Sequence, residues 1–188
     1  MLFRSERLNR FVQNLLDMTR LGAGAMKPRV DWADLRDVVG AAVQRAARLA
    51  RAHTIRIDIA ADMPLLCIDA VLMEQVFFNL IDNACKYSPA GTAVKVWAIR
   101  TPRHIAIEVA DQGPGIPPED RERVFDMFYR VNQADAQSGT GLGLAICRGI
   151  VEAHGGTIHA EPGLHGAGTC IIIHLPLPPE ATLPEAPQ

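Results

Sequence analysis

The chain has 188 residues, 48% of them hydrophobic, enough to bury one substantial core with a short appendage but too few for two full-sized domains. Nineteen Lys and Arg against 21 Asp and Glu give a formal net charge of −2, so no overall field points to nucleic acid or to an anionic membrane, and any anion must be bound locally. The four cysteines, Cys67, Cys85, Cys147 and Cys170, lack metal-ligand spacing and read as reduced core thiols of a cytoplasmic protein; no apolar run approaches the roughly 20 residues of a membrane span.

In residues 2–21, Leu8, Phe11, Val12, Leu15, Leu16 and Met18 recur at helical spacing until Gly22 and Gly24 stop the pattern, which predicts an amphipathic helix in need of a partner. A second helix is expected over 33–50, with Leu35, Val38, Val39, Ala42, Val43, Ala46 and Leu49 facing inward. Short strands follow at 55–59 and 65–68, with Asp62 and Pro64 as turn chemistry between them. Helix is expected again over 71–86, then strands at 93–99 and 105–109, the latter running out at Asp111. The segment 111–138 is rich in Gly, Pro and charge and reads as a mobile loop with short helical pieces. A helix over 141–154 stops at Gly155 and Gly156, paired strands follow at 157–160 and 169–175, and the Pro- and Glu-dense tail from 177 is expected to be disordered. Helices interleaved with mostly antiparallel strands predict an α/β two-layer sandwich with its helices on one face of a mixed sheet.

Three groups of residues carry chemistry. On the helix over 71–87, Gln75, Asn79, Asn83 and Tyr87 stack one turn apart. Two mid-helix asparagines cost about 1 kcal/mol together relative to alanine. Their carbonyl oxygens suit Mg²⁺, and Lys86 adds a positive charge beside them; a solvated polar face is the plainer reading of the same pattern. Second, Asp111-Gln-Gly113-Pro-Gly115-Ile116 stands where a strand ends, so a carboxylate able to accept from an exocyclic amine adjoins glycines that let backbone approach a flat ligand. An ordinary Asp-Gly turn has the same letters. Third, Gly139, Thr140, Gly141, Leu142 and Gly143 open a helix, whose free N–H groups and dipole make a phosphate site, though a hinge uses glycines too. A P-loop is excluded because no Gly-Lys-Ser/Thr follows, and Leu144 breaks the dinucleotide fingerprint.

In order and interval these motifs resemble those of the sensor histidine kinase catalytic domain. Asn79-Leu-Ile-Asp-Asn83-Ala-Cys-Lys86-Tyr87 is similar to that family's N box, Asp111 to Gly115 to its first glycine box, Phe125-Asp-Met-Phe128 to its F box, Gly139 to Gly143 to its second glycine box, and Gly166-Ala-Gly168-Thr169 to the turn that closes the site. The resemblance implies a Bergerat-type (GHKL) ATP-binding fold over 28–176, preceded in 1–27 by the second helix of a dimerisation hairpin and followed by a tail at 177–188. It also implies ATP and Mg²⁺ as ligands. Asp111 would bond the adenine amine, Gly113 and Gly115 would wrap the base, and Tyr87 and Ile116 would flank the ring. Asn79 and Asn83 would hold Mg²⁺, Lys86 and Arg130 would neutralise phosphate charge, Gly139, Gly141 and Gly143 would donate backbone N–H groups, and Phe125 and Phe128 would anchor a lid.

The family's acceptor motif, His followed by an acidic residue, Arg or Lys and Pro, surrounds none of His53, His104, His154, His159, His165 or His174. A truncated kinase is therefore expected, one that does not phosphorylate itself alone. Related ATPases such as gyrase carry a water-activating glutamate where this chain resembles them with Asn79, which implies slow hydrolysis. The implied partners are a cognate response regulator and the rest of the dimerisation hairpin in a homodimer, with no nucleic acid and no membrane contact by this stretch. Further similarity in Asp17-Met-Thr-Arg-Leu21, Asp31-Trp32 and Gly143-Leu-Ala-Ile-Cys-Arg148 points to the potassium-responsive members, whose parent chains sit in the inner membrane. A nucleotide-dependent interaction module and an ATPase that works by dimerising are the competing readings.

Overall fold

The computed structural model describes Thr19 and residues 27–131, 140–163 and 166–177. The expected helix over 2–21, apart from Thr19, the residues Gly139 and His165, and the tail from 178 lie outside the described residues.

The chain enters as strand β1 (Asp31–Ala33) and turns at Asp34, whose carboxylate accepts from the Arg36 amide at 2.8 Å and caps helix α1 (Leu35–Ala46). Leu35, Val38, Val39, Ala42 and Ala46 are buried, as the apolar spacing requires. Strands β2 (Thr54–Ile59) and β3 (Leu66–Ile68) follow, then the 18-residue helix α2 (Ala70–Tyr87). Asp69 caps α2: its Oδ1 accepts from Val71 and Leu72 at 3.1 Å each, while Oδ2 accepts from Arg29 at 2.8 Å and so ties the incoming chain to the helix start. Strands β4 (Ala93–Arg100) and β5 (His104–Ala110) form a hairpin. Two short 3₁₀ turns, Pro118–Asp120 and Arg123–Phe125, precede helix α3 (Gly143–Ala153), and β6 (Thr157–Pro162) and β7 (Thr169–Pro176) complete the chain.

Strands β2, β4, β5, β7 and β6 lie side by side in that order, with β2 parallel to β4 and every other pair antiparallel. Along β5, Ile105, Ile107 and Val109 turn to the helices and are at most 3% exposed. They meet Met73, Phe77 and Ile81 of α2 and Ile146 and Ile150 of α3, all fully buried, in one continuous core. The expected two-layer sandwich is the observed fold.

Two details differ from the sequence reading. The three residues of β1 carry too short a pattern to announce a strand, yet they pair antiparallel with β3, Trp32 opposite Cys67. Strands β2 and β3 therefore belong to different sheets, which the stretch 62–64 links. Cys67 stands exposed on that small ribbon and departs from the expectation of core thiols, which Cys85, Cys147 and Cys170 meet.

Candidate functional site

Three pieces of chain converge beside the second half of α2: the loop leaving β5, the turn entering β7 and the start of α3. The anchor is Asp111. Its Oδ1 accepts from the Gly113 amide at 2.7 Å and from the Thr169 amide at 3.1 Å, and its own N–H donates to Thr169 O at 2.9 Å. No hydrogen bond from a described residue reaches Oδ2, which leaves that oxygen to accept from something else. Burial raises the Asp111 pKa, opposed by the two backbone donors.

Close approach explains the glycines here. A Cβ on Gly113 would come within 2.9 Å of the Tyr87 carbonyl oxygen, and one on Gly168 would lie 2.1 Å from the Asp111 carbonyl oxygen. Gly115, at φ +81°, would bring a Cβ to 3.1 Å from Gly168 O. Ser88, which ends α2, adds a further clasp by accepting from the Gln112 amide at 3.3 Å. Ser88 was not singled out as a site residue, and Gly168 appeared only within the Gly166-Ala-Gly168-Thr169 turn.

On α2 the polar row is graded in exposure. Asn79 is buried at 8% exposure, Asn83 is half-buried and Tyr87 is 46% exposed. Asn79 Nδ2 donates to Gly143 O at 3.5 Å and also faces the Cys147 thiol, which burial pushes up to about 12 and which donates to Val76 O at 3.7 Å. With its nitrogen directed at α3, Asn79 keeps its carbonyl oxygen for another partner. The Asn83 side chain makes no hydrogen bond to another described residue. Lys86 folds back over Tyr87, its Nζ 4.7 Å from the ring centre and 3.3 Å from the hydroxyl.

Helix α3 starts without a side-chain cap: Leu142, fully buried, occupies the N-cap position, and Thr140 Oγ1 accepts only from the Leu142 amide, at 3.4 Å. A Cβ on Gly143 would meet nothing within 4 Å, so open space lies at this helix start. The connection that precedes it is fastened at its neck. Phe128, at φ 63°, donates its amide to Gly141 O at 2.9 Å, and Gly141 itself sits at φ +70°. Phe125 is buried under the Arg148 guanidinium, 4.5 Å from its ring, and Arg148 pairs with Glu122 at 2.7 Å. Tyr129 bonds Asp120 and lies under Arg123, while Arg121 donates to Ile116 O at 3.3 Å.

The structure thus brings Asn79 to Gly143, Tyr87 to Gly113, and Asp111 to Thr169 along one side of α2, and Ile116 packs against the core. Phe128, 62% exposed, and the half-buried Arg130 stand on the connection that precedes α3.

Residues 68–179 match the family model described as histidine kinase-, DNA gyrase B-, and HSP90-like ATPase. The sensor protein KdpD of Escherichia coli is 39% identical over 176 residues, which are 94% of this chain and 19% of that protein. Among solved structures, the mycobacterial sensor histidine kinase MprB superposes with TM-score 0.69 at 32% identity, covering 78% of this chain and 97% of that one. Full-length ShkA in complex with AMPPNP superposes with TM-score 0.79 at 27% identity, over 90% of this chain and 35% of that one.

Proposed function

The chain belongs to the histidine kinase-, DNA gyrase B- and HSP90-like ATPase family, and from that membership we propose that it is the ATP-binding catalytic domain of a two-component sensor histidine kinase. The observation that carries this reading is the Asp111 carboxylate: its Oδ1 takes the Gly113 and Thr169 amides, its Oδ2 accepts from no described residue, and Gly113 and Gly115 beside it let the backbone pack closely. In this reading Oδ2 accepts from the adenine amine, Tyr87 and Ile116 border the ring, and Thr169 holds the carboxylate in place. A complex with AMPPNP in ShkA, which shares the fold, supports an adenine nucleotide as the ligand.

The residues present fit a phosphate-bound Mg²⁺. Asn79 and Asn83 offer neutral carboxamide oxygens, suited to an ion that keeps waters and shares phosphate oxygens, and Asn79 already has its nitrogen turned away. When bound, Mg²⁺ would neutralise phosphate charge. The uncapped start of α3, with Gly141 and Gly143 and, outside the described residues, Gly139, supplies N–H donors to phosphate oxygens. Thr140 and Leu142 set the backbone of that turn. Lys86 and Arg130 reach phosphate after Lys86 leaves its seat on Tyr87, and Phe125 and Phe128 anchor the cover over the nucleotide.

Phosphoryl transfer asks mainly for positioning and charge neutralisation. A neutral imidazole attacks with its own lone pair, so this site needs no general base. The acceptor is a histidine on a partner helix, because none of the chain's six histidines stands in an acceptor motif. We assign residues 1–27 to the dimerisation hairpin, 28–176 to the catalytic unit and 177–188 to a tail. Identity with KdpD supports a potassium-responsive parent kinase in the inner membrane, a KdpE-like response regulator as partner and a cytoplasmic setting for this domain. Among the described residues no helix is long and apolar enough to cross a membrane.

Calorimetric titration with ATP, with and without Mg²⁺, tests the reading. ATP binding is expected to be enhanced by Mg²⁺, abolished in Asp111→Ala and stripped of its metal dependence in Asn83→Ala. Absence of binding by the folded wild type, or binding indifferent to Asp111→Ala, overturns the assignment and favours an interaction module.

A further inference from the structure

The face of the five-stranded sheet turned away from the helices carries three histidines in a row. His104 on β5, His174 on β7 and His159 on β6 occupy adjacent strands. In the register His174 lies opposite Ala106 and Thr157, so His104 and His159 are its diagonal neighbours on either side. Side chains alternate across each strand, and all three imidazoles project from the face opposite Ile105, Ile158 and Ile173. The rings of His104 and His174 are 4.2 Å apart between centres, tilted by 48°, and those of His159 and His174 are 5.3 Å apart.

This arrangement is unusual for a structural purpose. The neighbouring positions on the same face, Ile99, Ala106, Glu108, Thr157 and Ile172, include no cation, and no hydrogen bond between described residues fixes any of the three rings through its side chain. Glu108, whose carboxylate takes the Cys170 thiol at 3.6 Å, puts negative charge on this face. Two imidazole nitrogens on one tetrahedral ion stand about 3.3 Å apart when each metal–nitrogen bond is 2.0–2.1 Å. Imidazoles that share one such ion have their centres farther apart than 4.2 Å, so chelation requires the His104 and His174 rings to turn outward about their side-chain bonds, on the backbone of a central strand pair.

We infer that His104 and His174 form a binding site for a divalent transition-metal ion of the Zn²⁺ or Ni²⁺ class on the outer sheet face, with His159 next to it as an additional imidazole. Among the described residues no three His, Cys, Asp or Glu side chains already stand as a complete ligand set. The ion is therefore held by two imidazoles and completed by water, which makes an exchangeable site and not a structural one. It is separate from the Asp111 site, and its existence does not depend on the nucleotide reading.

The test is Zn²⁺ titration of tag-free protein by calorimetry, alongside imidazole NMR signals of the wild type. One saturable ion is expected, with the His104 and His174 signals shifting together, and with affinity about tenfold weaker or more in each of His104→Gln and His174→Gln. Circular dichroism confirms that the variants fold, and the wild-type NMR result stands even where one does not. Absence of uptake, wild-type affinity in either variant, or shifts confined to His53 or His154 overturns the proposal.

Discussion

At the scale of single residues, Asp111 shows how a site can oppose stability. Its pKa is raised, first by burial, so the ionised carboxylate is less favourable in the folded chain than in the unfolded one. For an acid with a raised folded pKa, the penalty is present in full above the folded value. It is relieved as pH falls through that value toward the ordinary 3.8. Asp111→Asn keeps an oxygen for the Gly113 and Thr169 amides and removes the charge, but it turns an NH₂ donor toward the adenine amine. The variant is expected to melt at higher temperature than the wild type without nucleotide. The gap should be widest near neutral pH and close as pH approaches 4, while ATP affinity falls by tenfold or more, about 1.4 kcal/mol. Thermal melts at a series of pH values check the first part and calorimetry the second; a variant less stable at neutral pH refutes the argument. That a carboxylate stands at a strand end before two spaced glycines was readable in Asp111-Gln-Gly113-Pro-Gly115. That one of its oxygens is spent on Thr169, 58 positions away, was not, because chain spacing carries no information on which distant strand lies alongside.

At the scale of elements, α2 matters most, since Asn79, Asn83, Lys86 and Tyr87 all ride on it. Its start is held by Asp69, whose carboxylate takes three amides, from Val71, Leu72 and Arg29, while the Asp69 amide donates to His154 Nε2 at 3.0 Å. That last bond, with His154 Nδ1 2.7 Å from Ile150 O, joins the start of α2 to the end of α3. Asp69→Ala loses the cap and the strap to the incoming chain and is expected to cost about 1–2 kcal/mol in urea unfolding. Asp69→Asn, which keeps a capping oxygen, should cost less than half of that; equal losses would mean that the charge and not the cap is at work. Apolar spacing located α1, α2 and α3 within a few residues of their ends, because a helix buries its own periodic face. Strand β1 was missed for the opposite reason: three residues have no period, and only pairing with β3 makes them a strand.

At the scale of the whole molecule, nucleotide binding should add contacts to several elements at once. A ligand that binds only the folded state stabilises it by about 2.7 kcal/mol at 100 times its dissociation constant. MgATP should therefore raise the melting temperature of the wild type by several degrees, and much less in Asn83→Ala. The family resemblance implies that Asn79 stands where related ATPases carry a glutamate, so turnover of ATP without an acceptor helix should stay slow over hours; rapid phosphate release would displace the kinase reading in favour of an ATPase. The order of the motifs, helices α1 to α3 and every strand but β1 were determined by the sequence alone, since each rests on local spacing, turn chemistry and side-chain type. The tertiary structure alone decided the sheet order, the burial of Asn79 against Gly143, the contact of Gly168 with Asp111 and the row of three histidines. Those depend on which strands and helices become neighbours, and that is settled by the packing of one shared core over separations far longer than any local pattern spans.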